Sequence, residues 1–519
     1  MRYIKKLFIY LLIIFVVQNQ AMAEIVNGNW HNDLRTLFLR NQSIIYVINI
    51  RTFNAKDTNK NEIIDSDEES GNFINAIDRL DELQKEGINT IHVLPITSIG
   101  KLKSLGTAGS LYSISDFSQI NTQLKNADST LSVDEQAKKF VDECHKRNIR
   151  VIIDLPSCGS YDLFLAHPEY YVKDDQGQPV IPADWTDVRV LDTGVDGKLN
   201  DDVYNIHKQF VDLVMSIGAD GIRADVATIR PYTFWKNLID YARSKDSEFM
   251  FLAESSDSWT TPPSKSAPFT TYDKLLNAGF DGYYGSFFNL KNWKDSSELI
   301  STVQFNQKIY KNSYKTKTVI GSFSTHDETS PILINGPKFS KMIIWLNTTL
   351  PLNSYFVDGF PTGDDYDYEW ANQKAAQTST DDEFYFNHKG KFDLFNYSRK
   401  PGGNDYSIYD EFVLANKFKE YYASELSDSS FIPLKSSAKN VFAYARSCGT
   451  FTVVVIGNLD FQNTSKVIVK VHRLKAHAKY INFRVKQNIS PQILNGKIIT
   501  TVNPGDIQVL MFKNFTLHR

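Results

Sequence analysis

From residue 44 onward, short apolar runs alternate with segments in which apolar residues recur every three or four positions. The runs cover residues 44–50, 91–96, 150–155, 221–226, 249–254, 280–284, 319–323 and 354–357. Between them, Ile74, Ile77, Leu80 and Leu83 lie three apart and stop at Gly87. Ser132 and Glu135 form a capping box ahead of Ala137, Phe140, Val141 and Cys144. Val203, Ile206, Phe210 and Leu213 mark another helical face, ending near Gly218. Eight runs with helices between them predict a parallel (β/α)8 TIM barrel, although a doubly wound sheet fits the same alternation. Residues 157–200, rich in Pro, Asp and Tyr, are too many for an ordinary strand-to-helix loop and predict an excursion over the barrel mouth. Past about residue 430, β-branched runs at 441–445, 451–456, 466–471, 480–485 and 507–512 alternate with Asn, Gly and Ser turns. The chain therefore divides into a barrel over 24–430, including the excursion, and a C-terminal antiparallel β-sandwich-like domain over 431–519.

Residues 1–23 have the make-up of an export signal. Arg2, Lys5 and Lys6 precede an apolar run at 7–17, and Ala21-Met22-Ala23 fits a small-x-small cleavage site. That run is too short to span a bilayer, which takes about twenty residues. The expected mature protein is secreted or periplasmic, monomeric and free of any membrane contact.

Apolar residues at 42% and charged residues at 23% describe a chain with a large core and exclude a disordered or fibrous one. A formal net charge of −3 excludes nucleic acid as a main partner. Three cysteines, Cys144, Cys158 and Cys448, are too few and scattered for a disulfide framework or a thiolate metal site. The 26 tyrosines and 34 phenylalanines suit a sugar cleft, though composition alone favours the plainer reading of a large core.

In a barrel, chemistry collects at the C-terminal ends of the strands. Asp154 ends the third run, Asp225 the fourth and Glu254 the fifth, while Asp327 follows the seventh. Strand alternation puts Arg223 on the same face as Asp225, where a guanidinium would hold the carboxylate ionised. Any one acid is unremarkable at a strand end. Several converging on one cleft repel one another unless the site needs an acid and a nucleophile together, as a retaining glycosidase does.

Gly218-Ala219-Asp220-Gly221-Ile222-Arg223-Ala224-Asp225 resembles the fourth-strand motif of the α-amylase family of glycoside hydrolases (family 13). Phe251-Leu252-Ala253-Glu254 resembles its fifth-strand motif, and Ser322-Phe323-Ser324-Thr325-His326-Asp327 its seventh. Val151-Ile152-Ile153-Asp154 is similar to the start of the third-strand motif. Tyr112-Ser113-Ile114-Ser115-Asp116-Phe117 resembles the segment after the second strand, with Gly87-Ile88-Asn89-Thr90-Ile91 leading into it. The resemblance covers roughly residues 40–425 and extends to the terminal β domain. It implies Asp225 as nucleophile, Glu254 as general acid/base and Asp327 as a transition-state stabiliser holding sugar hydroxyls. Arg223 would then orient Asp225, His326 would contact the same sugar, Tyr112 would stack beneath its ring, and Asp154 would support Arg223.

The departures matter too. Where the family usually has Asn and His after the third strand, this chain has Cys158 and Gly159, so the family's common calcium site and one sugar contact are in doubt. Thr228-Ile229 replaces a frequent Lys-His pair, and Thr325 a frequent Asn. A separate Ca2+ candidate is the loop Asp57, Asn59, Asn61, Ile63 (through its carbonyl) and Asp65, whose oxygens recur at every second residue. The other reading of that loop is a solvated polar turn. The expected activity is retaining hydrolysis of α-1,4-glucosidic bonds in an α-glucan or maltooligosaccharide. A transglycosylase, an oligosaccharide-specific α-glucosidase and a catalytically silent sugar-binding scaffold are the alternatives.

Overall fold

The computed structural model describes residues 30–56, 58, 68–104, 109–182, 185–261, 267–312, 316–363, 406–484 and 489–518. Eight parallel strands form one sheet: β1 Ile44–Ile48, β2 Thr90–Val93, β3 Arg150–Leu155, β4 Gly221–Ala224, β5 Met250–Ala253, β6 Gly282–Tyr283, β7 Thr318–Val319 and β8 Ser354–Val357. Their order is β7-β6-β5-β4-β3-β2-β1-β8, and a parallel bridge from Ile320 to Asn353 joins the two ends. The sheet therefore closes into a (β/α)8 barrel. Strands β1 to β5 are buried on both faces, which is why they read in the sequence as unbroken apolar runs.

Below the barrel, the helix Leu34–Leu39 inserts Leu34 and Phe38 as a plug. Gly282 opens β6 because a Cβ there would stand 2.8 Å from the Phe38 ring. Trp30 stacks on His145 and donates to Asp220 at 2.8 Å, tying the start of the described chain to the base of β4.

The helices follow the sequence pattern with local differences. Ser132 and Glu135 form the reciprocal cap of helix Val133–Lys146. Residues 73–85 are two short α-helices joined by a 3-10 turn at Ile77–Arg79, rather than one helix. In helix Asp201–Ser216 the buried face is Val203, His207, Phe210, Val211 and Val214, with Ile206 and Leu213 only partly covered. A histidine thus occupies a position that the apolar pattern skipped.

Residues 157–200 do leave the barrel. Gly159–Ser160 and Val188–Arg189 join Thr97–Ile99 and Ile114–Ile120, the segment after β2, in a four-stranded sheet. Past Asp428, antiparallel strands form a five-stranded sheet, β9 Ser430–Pro433, β10 Val441–Ser447, β11 Phe451–Asn458, β16 Ile507–Lys513 and β13 Ile481–Asn482, and a three-stranded one, β12 Ser465–Lys470, β15 Lys497–Val502 and β14 Gln492–Leu494. Strands β9, β14 and β15 did not stand out as apolar runs, because β14 and β15 present alternate residues to solvent and β9 has only two buried residues.

Candidate active site

The pairing register of β3 and β4 sets Arg223 beside Asp154, and both side chains have no solvent exposure. Arg223 Nη1 donates to Asp154 Oδ1 at 2.8 Å and to Asp225 Oδ1 at 2.9 Å. Its Nη2 lies 3.0 Å from Glu254 Oε1, an ion-pair distance whose angle falls outside hydrogen-bond geometry. Its Nε donates to the Tyr284 hydroxyl at 3.0 Å. One guanidinium thus gathers carboxylates from three adjacent strand ends. A buried cation with three anions around it is what makes such a concentration of acid tolerable.

Asp154 is the anchor of this set. Besides Arg223 it accepts from the Tyr112 hydroxyl at 2.9 Å, and His92 Nε2 lies 3.3 Å away. Burial would raise its carboxyl, but Arg223 and His92 outweigh that and hold it at about 2. His92 is the satisfied core histidine that its apolar strand suggests, with Nδ1 3.0 Å from the Tyr355 hydroxyl, yet it is wired directly to the site.

The two outer acids differ from Asp154. Burial pushes the Glu254 carboxyl well up, Arg223 pulls against it, and the charges of Asp225 and Asp327 push it further. Asp225 is likewise raised by burial, with Arg223 opposing. Glu254 Oε2 accepts the Val226 backbone N–H at 2.7 Å. To make that contact Val226 adopts φ 35° and ψ 54°, the left-handed region that a β-branched residue rarely enters. Strain of this kind persists only where surrounding structure enforces it, here between the two carboxylates.

His326 stands on the other wall, its Nε2 2.9 Å from the Tyr112 hydroxyl and 3.4 Å from Asp327 Oδ2. Burial lowers the His326 imidazole to about 4, which leaves it neutral across physiological pH. Asp327 keeps about a third of its side chain open to solvent. The structure therefore brings together Asp225, Glu254, Asp327, Arg223, His326, Tyr112 and Asp154. Asp57, Asn59, Asn61, Ile63 and Asp65 lie outside the described residues; only the flanking Lys56–Glu69 bridge and the Thr58–Glu68 contacts are seen. Residues 1–23 also lie outside them.

The divergent segment after β3 has a physical explanation. A Cβ on Gly159 would stand 2.1 Å from the Tyr171 hydroxyl, which donates to Ser160 O. Tyr171 fills the space that a larger residue at 159 would need. Tyr171 is buried here and packs as core. Cys158 sits in an apolar cluster with Val188, Val226 and Ile229, against which Trp185 packs, and burial pushes its thiol up to about 12. It is no thiolate.

Sequence reasoning missed Ser157. Its backbone N–H and its hydroxyl donate to Asp225 Oδ2 at 3.0 and 2.6 Å. In Leu155-Pro156-Ser157-Cys158-Gly159 a serine reads as an ordinary turn residue, and nothing local marks it. Tyr284 and Tyr355, whose hydroxyls lie 3.1 Å apart beneath Arg223, were also missed. Their signal was an aromatic hydroxyl inside an otherwise apolar strand, weak on its own.

No protein-family profile matches the chain. Alpha-amylase 2 of Dictyoglomus thermophilum is 27% identical over 297 residues, 55% of this chain and 48% of that protein. Alpha-amylase MalA of Haloarcula japonica is 26% identical over 225 residues, 41% of this chain and 29% of that protein. A cyclomaltodextrinase from a Bacillus species is 26% identical over 203 residues, 36% and 33% respectively. The matched segments span less than half the length of these curated relatives. Among solved structures, an α-amylase from Lactobacillus plantarum superposes with a TM-score of 0.66 at 19% identity, covering 91% of this chain and 99% of that one. The chain resembles the α-amylase family of glycoside hydrolases in sequence and in fold. A maltogenic α-amylase, AmyB, from Thermotoga neapolitana shares the fold at a TM-score of 0.65 and 18% identity, covering 92% of this chain and 100% of its own. Family members of differing specificity therefore share this architecture, and the family's strand-end motifs coincide here with the acid cluster around Arg223.

Proposed function

We propose that the chain is a retaining glycoside hydrolase acting on α-1,4-glucosidic bonds of starch-like glucans or maltooligosaccharides. The observation that carries this reading is Arg223 bracketing Asp225 and Glu254 at 2.9 and 3.0 Å. One guanidinium spanning two carboxylates favours the close pairing, about 5 Å, that double displacement uses; inverting enzymes need more room for a water. Asp225, fixed by Arg223 and Ser157, attacks the anomeric carbon. Glu254, whose carboxyl burial raises well above the ordinary range, delivers its proton to the departing glycosidic oxygen. It then takes a proton from the water that opens the glycosyl ester. Asp327 holds sugar hydroxyls beside neutral His326. Residues 1–23 direct export, and the mature chain begins at Glu24. The Asp57–Asp65 loop supplies oxygens for one Ca2+.

The test is incubation of the mature protein and its Asp225→Asn variant with soluble starch and with maltoheptaose, followed by chromatography and anomeric NMR. Shorter sugars released in the α configuration by the wild type alone support the reading. β-configured products, or equal turnover by both proteins, overturn it. Products longer than maltoheptaose identify transfer to a sugar in preference to water.

A further inference from the structure

Arg230 is a buried guanidinium with no carboxylate among its hydrogen-bond partners. Its Nη2 reaches Pro156 O at 3.2 Å, Ser157 O at 3.1 Å and His207 Nε2 at 2.9 Å. Its Nε and Nη1 make no hydrogen bond among the described residues. Phe234 and Trp235 cover its flat faces, with ring centroids 5.7 and 5.3 Å away. His207 Nδ1 is 2.7 Å from Val203 O and so carries the proton, leaving Nε2 free to accept from Arg230. Burying a cation without a paired anion is costly, and packing alone gives no reason to keep one where an apolar side chain would fit. All the hydrogen bonds of this guanidinium converge on one short turn and on the neutral histidine behind it.

That turn carries Ser157, and Ser157 is what holds the second oxygen of Asp225. Arg223 occupies Oδ1, while the Ser157 backbone N–H and hydroxyl both donate to Oδ2. The backbone donor can aim at Oδ2 only while the 156–157 peptides keep their orientation, and the carbonyls of those peptides are what Arg230 grips. Two hydrogen bonds to a carboxylate oxygen favour its ionised form.

We propose that Ser157 is a positioning residue for the Asp225 carboxylate, held in place from below by Arg230 and His207. The inference rests on Asp225 being the nucleophile for its bearing on turnover, but the clamp itself can be tested without substrate. Ser157 keeps Asp225 charged and aimed in the resting protein. Arg230 acts only through the turn, touching neither carboxylate nor substrate.

Two measurements decide this on the full-length mature protein. The first is a titration of the Asp225 carboxyl by carbon-13 NMR, the resonance being assigned by its loss in Asp225→Asn. Ser157→Ala should raise that pKa by about one to two units, the worth of a hydrogen bond to a charged group, and Ser157→Thr should restore it. Arg230→Met and the milder Arg230→Lys should shift it in the same direction. In the Ser157→Ala background, Arg230→Met should still raise it, since the backbone N–H that Arg230 aims remains. The second is kcat/KM against pH on maltoheptaose. Ser157→Ala should lower kcat/KM about ten- to hundredfold, mostly through kcat, and move the acidic limb to higher pH by the same one to two units. An unchanged Asp225 titration in Ser157→Ala overturns the proposal. An Asp225 titration unchanged by Arg230→Met, in the wild type and in Ser157→Ala alike, overturns the role given to Arg230. A shifted titration in a protein that turns over no α-glucan upholds the clamp and refutes the hydrolase reading instead.

Discussion

Replacing Arg223 with Met should expose what the acid cluster costs. The side chain has no solvent exposure and faces Asp154, Asp225 and Glu254 at 2.8, 2.9 and 3.0 Å. Removing one member of a buried ion network typically costs about 3–5 kcal/mol, because the partners stay buried and charged. Asp154 supplies an independent gauge. Its carboxyl is held at about 2 against an ordinary 3.8, and at ~1.4 kcal/mol per unit that is about 2.5 kcal/mol of stability at neutral pH. Asp225 and Glu254 already sit above their ordinary values despite Arg223, and losing the cation raises them further, so the range of about 3–5 kcal/mol is consistent. The pH dependence has a definite sign. In the wild type the Asp154 contribution is complete above pH 4 and is lost only as pH falls toward 2. In Arg223→Met, Asp154 joins Asp225 and Glu254 above its unfolded value, so all three destabilise at pH 7 and cease to do so once protonated. The deficit should therefore narrow between pH 7 and 4.5. Urea unfolding followed by near-UV circular dichroism at several pH values across that range measures it. Arg223→Met with Asp154→Asn should recover part of the loss. A deficit below about 1 kcal/mol at pH 7, or one equal at pH 7 and 4.5, would refute the argument.

Three further predictions follow from other parts of the structure. Glu254→Gln should lose about 10²- to 10⁴-fold in kcat on maltoheptaose but far less on an aryl glycoside, whose leaving group needs no proton; equal losses on both would remove Glu254 from the acid role. Lys419 is buried against Asn347 O, Leu352 O and the Ser354 hydroxyl, and burial lowers its ammonium well below the ordinary lysine value. Because the unfolded chain then binds more protons, the stability of the wild type relative to Lys419→Met should rise with pH up to about 10.4, read by thermal melting; a flat difference contradicts this. Chelation of the mature protein should release one Ca2+ per chain, counted by elemental analysis, and Asp57→Asn with Asp65→Asn should abolish that binding.

What was legible in the sequence, and what was not, divides along physical lines. Strands β3 and β8 appear at the bounds of their apolar runs, β3 being buried at every position and β8 at all but Val357. Strands β6 and β7 shrink to two residues each although their runs were longer. Asp281 interrupts the sixth run, its side chain drawn aside to Arg35, Arg243 and the Phe251 N–H. Asp154, Asp225, Glu254 and Asp327 could be found because acids at strand ends are conspicuous against apolar runs. Ser157, Arg230 and His207 were hidden because their meaning lies in contacts across 23 to 73 residues of chain, which no local pattern encodes.

The seam between barrel and β domain bears on how the protein is made. Arg446, on β10, donates to Thr349 O and Leu426 O, while Lys419 caps the carbonyls that lead into β8. Trp345 packs on Phe418 and Phe483, and β16 lies between β11 and β13 in the sheet that covers them. Strand β8 closes the barrel, yet the groups that satisfy its approach are translated later. A nascent chain halted near residue 430 holds a ring of eight strands with an open apolar wall. That wall is covered only when β16, which follows β10 and β11 in the chain, has been made and docks.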